Sequence, residues 1–205
     1  MRESRADAGA LVAVARSELI LGGQKSGKSR RAEMLAHAWL ARSPSHGALL
    51  VATAQPWDDE MRERIQRHRQ DRAERVPVMQ TVEEPLALAE ALRRHSRAEL
   101  LVVVDCLTLW LTNLLMPHGE AGAPAARAPT AGSSSPQAAL SAALEQAPGP
   151  VVLVSNEIGL GVIPLGRDVR GFVDALGQLN QQMARVCARV TLMAAGLPVT
   201  LKDIA

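Results

Sequence analysis

Eight consecutive residues carry the clearest chemistry: Gly22, Gly23, Gln24, Lys25, Ser26, Gly27, Lys28 and Ser29. They match the spacing GxxxxGK[ST], in which backbone amides and a helix N-terminus wrap a polyphosphate. In that pattern Lys28 reaches the β- and γ-phosphates and Ser29 offers its hydroxyl to Mg²⁺. Asp105 closes the apolar run Leu100–Val104. It suits a second oxygen ligand for the metal, and equally the N-cap of a helix starting at Cys106. His68 stands among Arg62, Arg64, Arg67, Arg69, Arg72 and Arg75. One reading is a histidine on a solvated, arginine-rich helix. The other is a nucleophile, because a neutral imidazole can attack phosphorus and guanidiniums can stabilise the charge that develops there. Asp58, Asp59 and Glu60 are consecutive and point in different directions, so they read as helix-start acids rather than a metal cage.

These residues need elements to position them. Glu18–Leu21 reads as a buried strand feeding the glycine loop, and Ala32, Leu35, Ala36, Trp39 and Leu40 recur at helical spacing after it. Ala48–Ala52 is a second strand. Asp58–Arg72 is helical, with Met61, Ile65 and His68 on one face. Val76–Val82 is expected as a third strand interrupted at Pro77, Leu86–Leu92 as a helix, and Leu100–Val104 as the most strand-like run. A helix then ends at Met116. Val151–Val154 resumes strand character, and Asp168 is expected to cap a helix with a core face of Val169, Phe172, Val173, Leu176, Leu179, Met183 and Val186. Val190–Ala194 and Val199–Leu201, joined through Gly196-Leu197-Pro198, suggest a terminal hairpin. Strands alternating with helices predict an α/β fold, three layers around a mainly parallel sheet, with ligands beyond the carboxyl ends of the strands.

Composition bounds the function. The 205 residues are 47% hydrophobic, with 23 basic against 21 acidic residues. A net charge of +2 leaves no broad nucleic-acid footprint. Trp39, Trp57, Trp110 and Phe172 are the only aromatic residues of the Phe, Trp and Tyr types, too few for a base-stacking platform. Cys106 and Cys187 form no CxxC pair, which fits a cytoplasmic protein without a cysteine zinc site. No apolar run approaches the roughly 18 residues of a membrane span. Residues 1–17 read as a poorly ordered extension, and residues 18–205 as one domain. From Pro117 to Pro136, 16 of 20 residues are Ala, Gly, Pro or Ser, which predicts a mobile loop.

Taken together, the chain resembles the bifunctional adenosylcobinamide kinase and adenosylcobinamide-phosphate guanylyltransferase family of cobalamin biosynthesis. The resemblance rests on the glycine loop, Ala52-Thr-Ala54, the run Asp58–Arg69 with His68, Thr81-Val-Glu83, Asp105-Cys-Leu-Thr108 with Thr112-Asn113, and Ser155-Asn-Glu-Ile-Gly-Leu-Gly-Val-Ile-Pro164. Together these pieces span about Leu19 to Lys202. The resemblance implies a RecA-like P-loop fold, ATP or GTP as phosphoryl donor, GTP as guanylyl donor, Mg²⁺, and a corrinoid substrate. It implies a covalent guanylyl group on His68. Nucleotide contacts are implied at residues 22–29, Ala52, Thr53, Ala54, Arg69, Gln70, Asp71, Arg72, Glu83 and Asp105. A homotrimer is implied as well. Departures are the segment before Glu18, Gln24-Lys25 within the loop, Arg67 where relatives carry a second histidine, and Asp105 where some have Glu. Two other readings fit the glycine loop alone: a small-molecule kinase without the guanylyl step, and a GTP-dependent regulatory protein. Arg167 and Arg170 suit either a phosphate contact or a solvated helix start.

Overall fold

The computed structural model describes residues 12–116, 135–162 and 164–204. In chain order the elements are β1 (Ser17–Gly22), α1 (Lys28–Leu40), β2 (Gly47–Ala52), α2 (Asp59–Arg75), β3 (Gln80–Glu83), α3 (Leu88–His95), β4 (Leu100–Asp105), α4 (Leu107–Leu115), α5 (Pro136–Gln146), β5 (Val151–Val154), α6 (Arg167–Val186), β6 (Arg189–Ala194) and β7 (Leu197–Asp203). The strands form one sheet in the order β3-β2-β4-β5-β1-β6-β7. All pairs are parallel except β6 with β7.

The inner strands β1, β2, β4 and β5 are buried on both faces, which is why their sequences are largely continuous apolar runs, whereas the edge strand β3 is mostly exposed. Alternation divides each strand between two cores. Leu19, Val102, Val104, Val151 and Leu153 meet the helices α3 to α6 through residues such as Leu92, Trp110, Leu140 and Met183. Ile20, Leu50, Val103 and Val152 meet α1 through Ala32, Leu35 and Ala36. This is the expected three-layer α/β architecture. The strand β1 lies between β5 and β6, so its carboxyl end, which carries the glycine loop, opens at the middle of the sheet edge.

Several expected elements differ in detail. The third strand begins at Gln80, not Val76. Val76 is instead buried as the C-cap of α2, its N–H bonded to the Arg72 carbonyl. Asp168 does not cap α6. Gly166 holds the N-cap, without a side-chain bond, and Asp168 lies inside the first turn. The first turns of α6 are less buried than the spacing predicts, and Val169 is exposed. The hairpin turns at Ala195 and Gly196, with φ of 51° and 81°, so Leu197 and Pro198 belong to β7. A proline is tolerated there because β7 is an edge strand. The helix α5, capped by Ser135 with Pro136 in its first turn, was not expected from the sequence. Residues 12–17, assigned by sequence to the extension, pack on the body. Val12 and Val14 touch the second core, and Arg189 donates to the Ala13 carbonyl at 2.6 Å. Residues 1–11 and 117–134 lie outside the described residues.

Candidate active site

The glycine loop turns on backbone conformations that side chains resist. Gly22 has φ 152° and Gly27 φ 101°. A Cβ at Gly22 would sit 2.6 Å from the Met193 carbonyl oxygen, so a larger residue would push the loop off β6. Ser26 ties the loop to the terminal hairpin, its carbonyl accepting from the Gly196 N–H at 3.0 Å. The helix α1 starts with no side-chain cap and no acid in its first turn. Its first N–H groups and the positive end of its dipole therefore suit an anion.

The Lys28 ammonium donates to the carbonyls of Gly22 (3.0 Å) and Gly23 (2.7 Å), which holds it at the mouth of the loop. Burial lowers its pKa. The charges of Cys106 and Asp105 oppose that shift, and the charge of Arg64 adds to it. Ser29 Oγ donates to Asp105 Oδ2 at 3.0 Å. Asp105 thus belongs to the loop rather than to a helix start, since Cys106 is the N-cap of α4. The separation matches two neighbouring ligands of an octahedral Mg²⁺, which at about 2.1 Å from the ion stand about 3 Å apart. A hydroxyl and a carboxylate are also the hard oxygen donors that this ion prefers. Among the described residues no cluster of three or more His, Cys, Asp or Glu side chains forms a separate metal cage.

Behind Asp105, Thr53 is fully buried. Its hydroxyl donates to the Cys106 carbonyl and accepts from the Cys106 N–H, both at 2.8 Å. Its own N–H donates to the Asp105 carbonyl at 3.2 Å. The Thr53 side chain is thus committed to the peptide that follows Asp105, and Ala52 and Ala54 flank it at the end of β2. The Asn113 amide completes this knot by donating to the Thr53 and Pro85 carbonyls. The block that begins at Ser155 is rooted beside the same loop. Glu157 N–H donates to the Gly22 carbonyl at 3.1 Å, and Asn156 N–H to Thr108 Oγ1 at 2.9 Å. Asn180 holds Ser155 and the Asn156 carbonyl from α6.

The helix α2 carries no buried residue, so polar contacts do much to place it, together with its buried C-cap Val76. Asp58 caps it by accepting from the Met61 N–H at 2.6 Å, in agreement with the helix-start reading of the acidic run. Arg75 bonds Glu33 of α1 at 2.9 Å, Arg69 pairs with Glu83, and Arg72 donates to Thr81 at 3.4 Å. Arg69, Arg72, Met79, Thr81 and Glu83 line a cavity of about 450 Å³ between α2 and β3. Burial lowers the Arg72 pKa, and the Asp105 charge opposes that shift. Arg64, His68 and Arg72 are spaced four apart and share one stripe of α2. Of that stripe, Arg72 is turned toward β3 through Thr81, while Arg64 is exposed. His68 is exposed rather than folded with the half-buried Met61 and Ile65. Gln70 is exposed, and Asp71 faces Arg75 at 3.7 Å. Glu33, which anchors α2, was not singled out from the sequence. The signal available was an acid with buried neighbours on the inner side of α1.

A family model described as cobinamide kinase / cobinamide phosphate guanyltransferase matches residues 18–201. The chain is 47% identical over 186 residues to the bifunctional adenosylcobalamin biosynthesis protein CobP of Pseudomonas aeruginosa, covering 90% of this chain and 96% of that protein. It is 37% identical over 187 residues to the bifunctional adenosylcobalamin biosynthesis protein CobU of Escherichia coli, covering 90% and 98%. Among solved structures, a protein of Pyrococcus horikoshii OT3 superposes with a TM-score of 0.51 at 11% identity, over 95% of this chain and 90% of that one. That likeness concerns the fold alone.

Proposed function

The chain belongs to the cobinamide kinase / cobinamide phosphate guanyltransferase family, and from that premise we propose that it performs both reactions on a corrinoid substrate. In the first, the substrate hydroxyl attacks the γ-phosphorus of ATP or GTP. An O–P bond forms, the bond to the β-phosphate oxygen breaks, a nucleoside diphosphate leaves, and the hydroxyl proton passes to solvent. Lys28 and the first N–H groups of α1 hold the phosphates in line. Ser29 and Asp105 would hold Mg²⁺, which neutralises charge on the β- and γ-phosphates when bound.

In the second reaction a His68 nitrogen attacks the α-phosphorus of GTP. The N–P bond forms, the α–β bridging P–O bond breaks, and pyrophosphate leaves. A phosphate oxygen of the phosphorylated corrinoid then attacks the same phosphorus and breaks the N–P bond. His68 is restored and the GDP-linked corrinoid departs. The observation that carries this reading is the spacing of Arg64, His68 and Arg72, four apart on α2, the helix whose Arg69 and Arg72 line the cavity against β3. The cavity at Arg69, Arg72 and Glu83 supports nucleotide contacts from Arg69–Arg72 and Glu83. A homotrimer is part of the reading, supported by the exposed Leu197 and Val199 on edge strand β7. A cytoplasmic location is also part of it, supported by two buried free thiols. Among the described residues no helix is long and apolar enough to cross a membrane.

The test uses GTP labelled at the α-phosphate, with Mg²⁺, on the wild type and His68→Ala. Acid-labile, alkali-stable label on the wild type and none on the variant is expected. No label on a folded, GTP-binding wild type would leave a kinase without the guanylyl step.

A further inference from the structure

Glu33 of α1 accepts from Arg75 of α2 at 2.9 Å. Among the described residues two ion pairs tie α2 to other elements, and this one is the more enclosed. The Glu33 side chain is 11% exposed, against 61% for Glu83 in the pair with Arg69. An exposed pair is screened by water and holds little, whereas a carboxylate taken out of water depends on its cation. The next residue, Val76, is buried in the same core as Ala32, Leu35 and Ala36 of α1. The C-terminal end of α2 is therefore seated on α1, the helix that begins with Lys28 and Ser29.

Helical geometry carries this contact toward the site. The helix α1 joins β1 to β2, and α2 joins β2 to β3. These strands are parallel members of one sheet, so both helices run from its carboxyl edge back to its amino edge. Ser29 precedes Glu33 by four residues, about 6 Å along α1 and about 40° around it. His68 precedes Arg75 by seven, about 10 Å along α2 and about 20° around it. From the ion pair, Ser29 and His68 thus lie in the same direction, toward the glycine loop, each on the side of its helix that makes the pair.

We propose that Glu33 is a positioning residue of guanylyl transfer, its ion pair with Arg75 fixing the helix of His68 on the helix that holds the phosphates, so that the imidazole meets the α-phosphorus of GTP. The inference rests on the reading that His68 carries the guanylyl group. Glu33 and Arg75 make and break no bond in the reaction. They act on where His68 stands, and a displacement of about 1 Å at a reacting group can lower a rate by about 10²-fold. The two reactions differ in their need for the pair. Phosphoryl transfer draws on Lys28, Ser29 and Asp105, none of which belongs to α2, whereas guanylyl transfer needs α2 in register with α1.

The experiment compares the wild type, Glu33→Ala, Arg75→Ala, Arg75→Lys, the double variant Glu33→Ala/Arg75→Ala and Glu74→Ala, all as the full chain. Single-turnover labelling of the protein by α-labelled GTP gives guanylyl transfer, and passage of label from γ-labelled GTP to cobinamide gives phosphoryl transfer. Glu33→Ala and Arg75→Ala are each expected to slow guanylyl transfer by about 10-fold or more, with phosphoryl transfer changed by less than about two-fold. Arg75→Lys keeps the charge and should recover part of the loss. The double variant should be no slower than the slower single variant, because both residues act through one pair. Glu74→Ala removes an exposed charge beside Arg75 and should leave both rates unchanged. Guanylyl transfer unchanged in Glu33→Ala, equal losses in the two reactions, multiplied losses in the double variant, or the same loss in Glu74→Ala would each overturn the proposal. Absence of label on the wild type would instead overturn the guanylyl-histidine reading, and this inference with it.

Discussion

Replacing Thr53 by valine removes one oxygen from the core and keeps the shape of the side chain. That oxygen serves both backbone groups of Cys106, at 2.8 Å each, in a residue with no exposed surface. The two losses are unequal. The Cys106 carbonyl still accepts from the Trp110 N–H at 3.1 Å, so its second bond is worth about 1 kcal/mol. The Cys106 N–H is left without a partner, at a cost of about 1–3 kcal/mol. Thr53→Val is therefore expected to lose about 2–4 kcal/mol, which for a chain of this size lowers the melting temperature by about 5–15 °C. Thr53→Ser keeps the hydroxyl and loses one buried methyl, about 1 kcal/mol. The assay is urea unfolding of the three proteins at matched slope. If the valine variant is as stable as the serine variant, the hydroxyl does not hold the Cys106 peptide and the reasoning fails. Because that peptide directly follows Asp105, the valine variant should also need more Mg²⁺ for half-maximal activity than the serine variant.

Other expectations follow from equally local features. Burial pushes the Cys106 thiol up to about 11 and the Cys187 thiol up to about 12. Above about pH 9 the unfolded chain releases these protons while the native chain keeps them, so stability should fall as pH rises toward 11, by about 1.4 kcal/mol per pH unit per thiol. The double variant Cys106→Ala/Cys187→Ala should flatten that slope in urea titrations at pH 8 and 10.5, and an unchanged slope would contradict the assignment. Asp58→Ala should cost about 1 kcal/mol of local helix stability. With no buried residue in α2, the loss should appear as about five-fold faster amide exchange in its first turn, with little change in the global urea midpoint. Ala195 holds φ 51° in the two-residue turn before β7. Asn tolerates that conformation better, so Ala195→Asn should raise stability by about 0.5–1 kcal/mol, read as a small rise in melting temperature.

The parts of this molecule that were legible in the sequence are those whose physics is local. A loop that needs positive φ at Gly22 and Gly27 writes glycine at those places, and strands buried on both faces write Val and Leu without alternation. The edge strand β3 was harder to bound, because Val76, the most buried residue of the region, caps a helix instead of opening the strand. Asp168 carried a capping signal two residues too late, since Gly166 can cap without a side chain. The candidate site residues, from Lys28 and Ser29 to Asp105 and His68, were likewise named from local sequence patterns. The face that α2 turns toward α1 and β3 was not legible there. Contacts across 42 residues, from Arg75 to Glu33, and across 14 residues, from Arg69 to Glu83, set that face. No nearby residue announces them. Thr53 illustrates the same limit in reverse. Its place in a matching segment suggested a nucleotide contact, whereas its hydroxyl serves the backbone beside Asp105.

The central seat of β1 has a consequence for how the chain is made. The strand comes first among the described elements, yet its neighbours in the sheet are β5 and β6, which begin at Val151 and Arg189. Synthesis must pass both before the glycine loop has flanking strands, and must pass Gly196 before Ser26 gains its bond to the hairpin. A ribosome-bound or truncated chain that stops short of the hairpin therefore carries every residue of the glycine loop without the walls that shape it. The strands that wall the glycine loop are thus encoded far downstream of the loop itself. Long-range strand pairing of this kind also makes folding slow relative to helix formation.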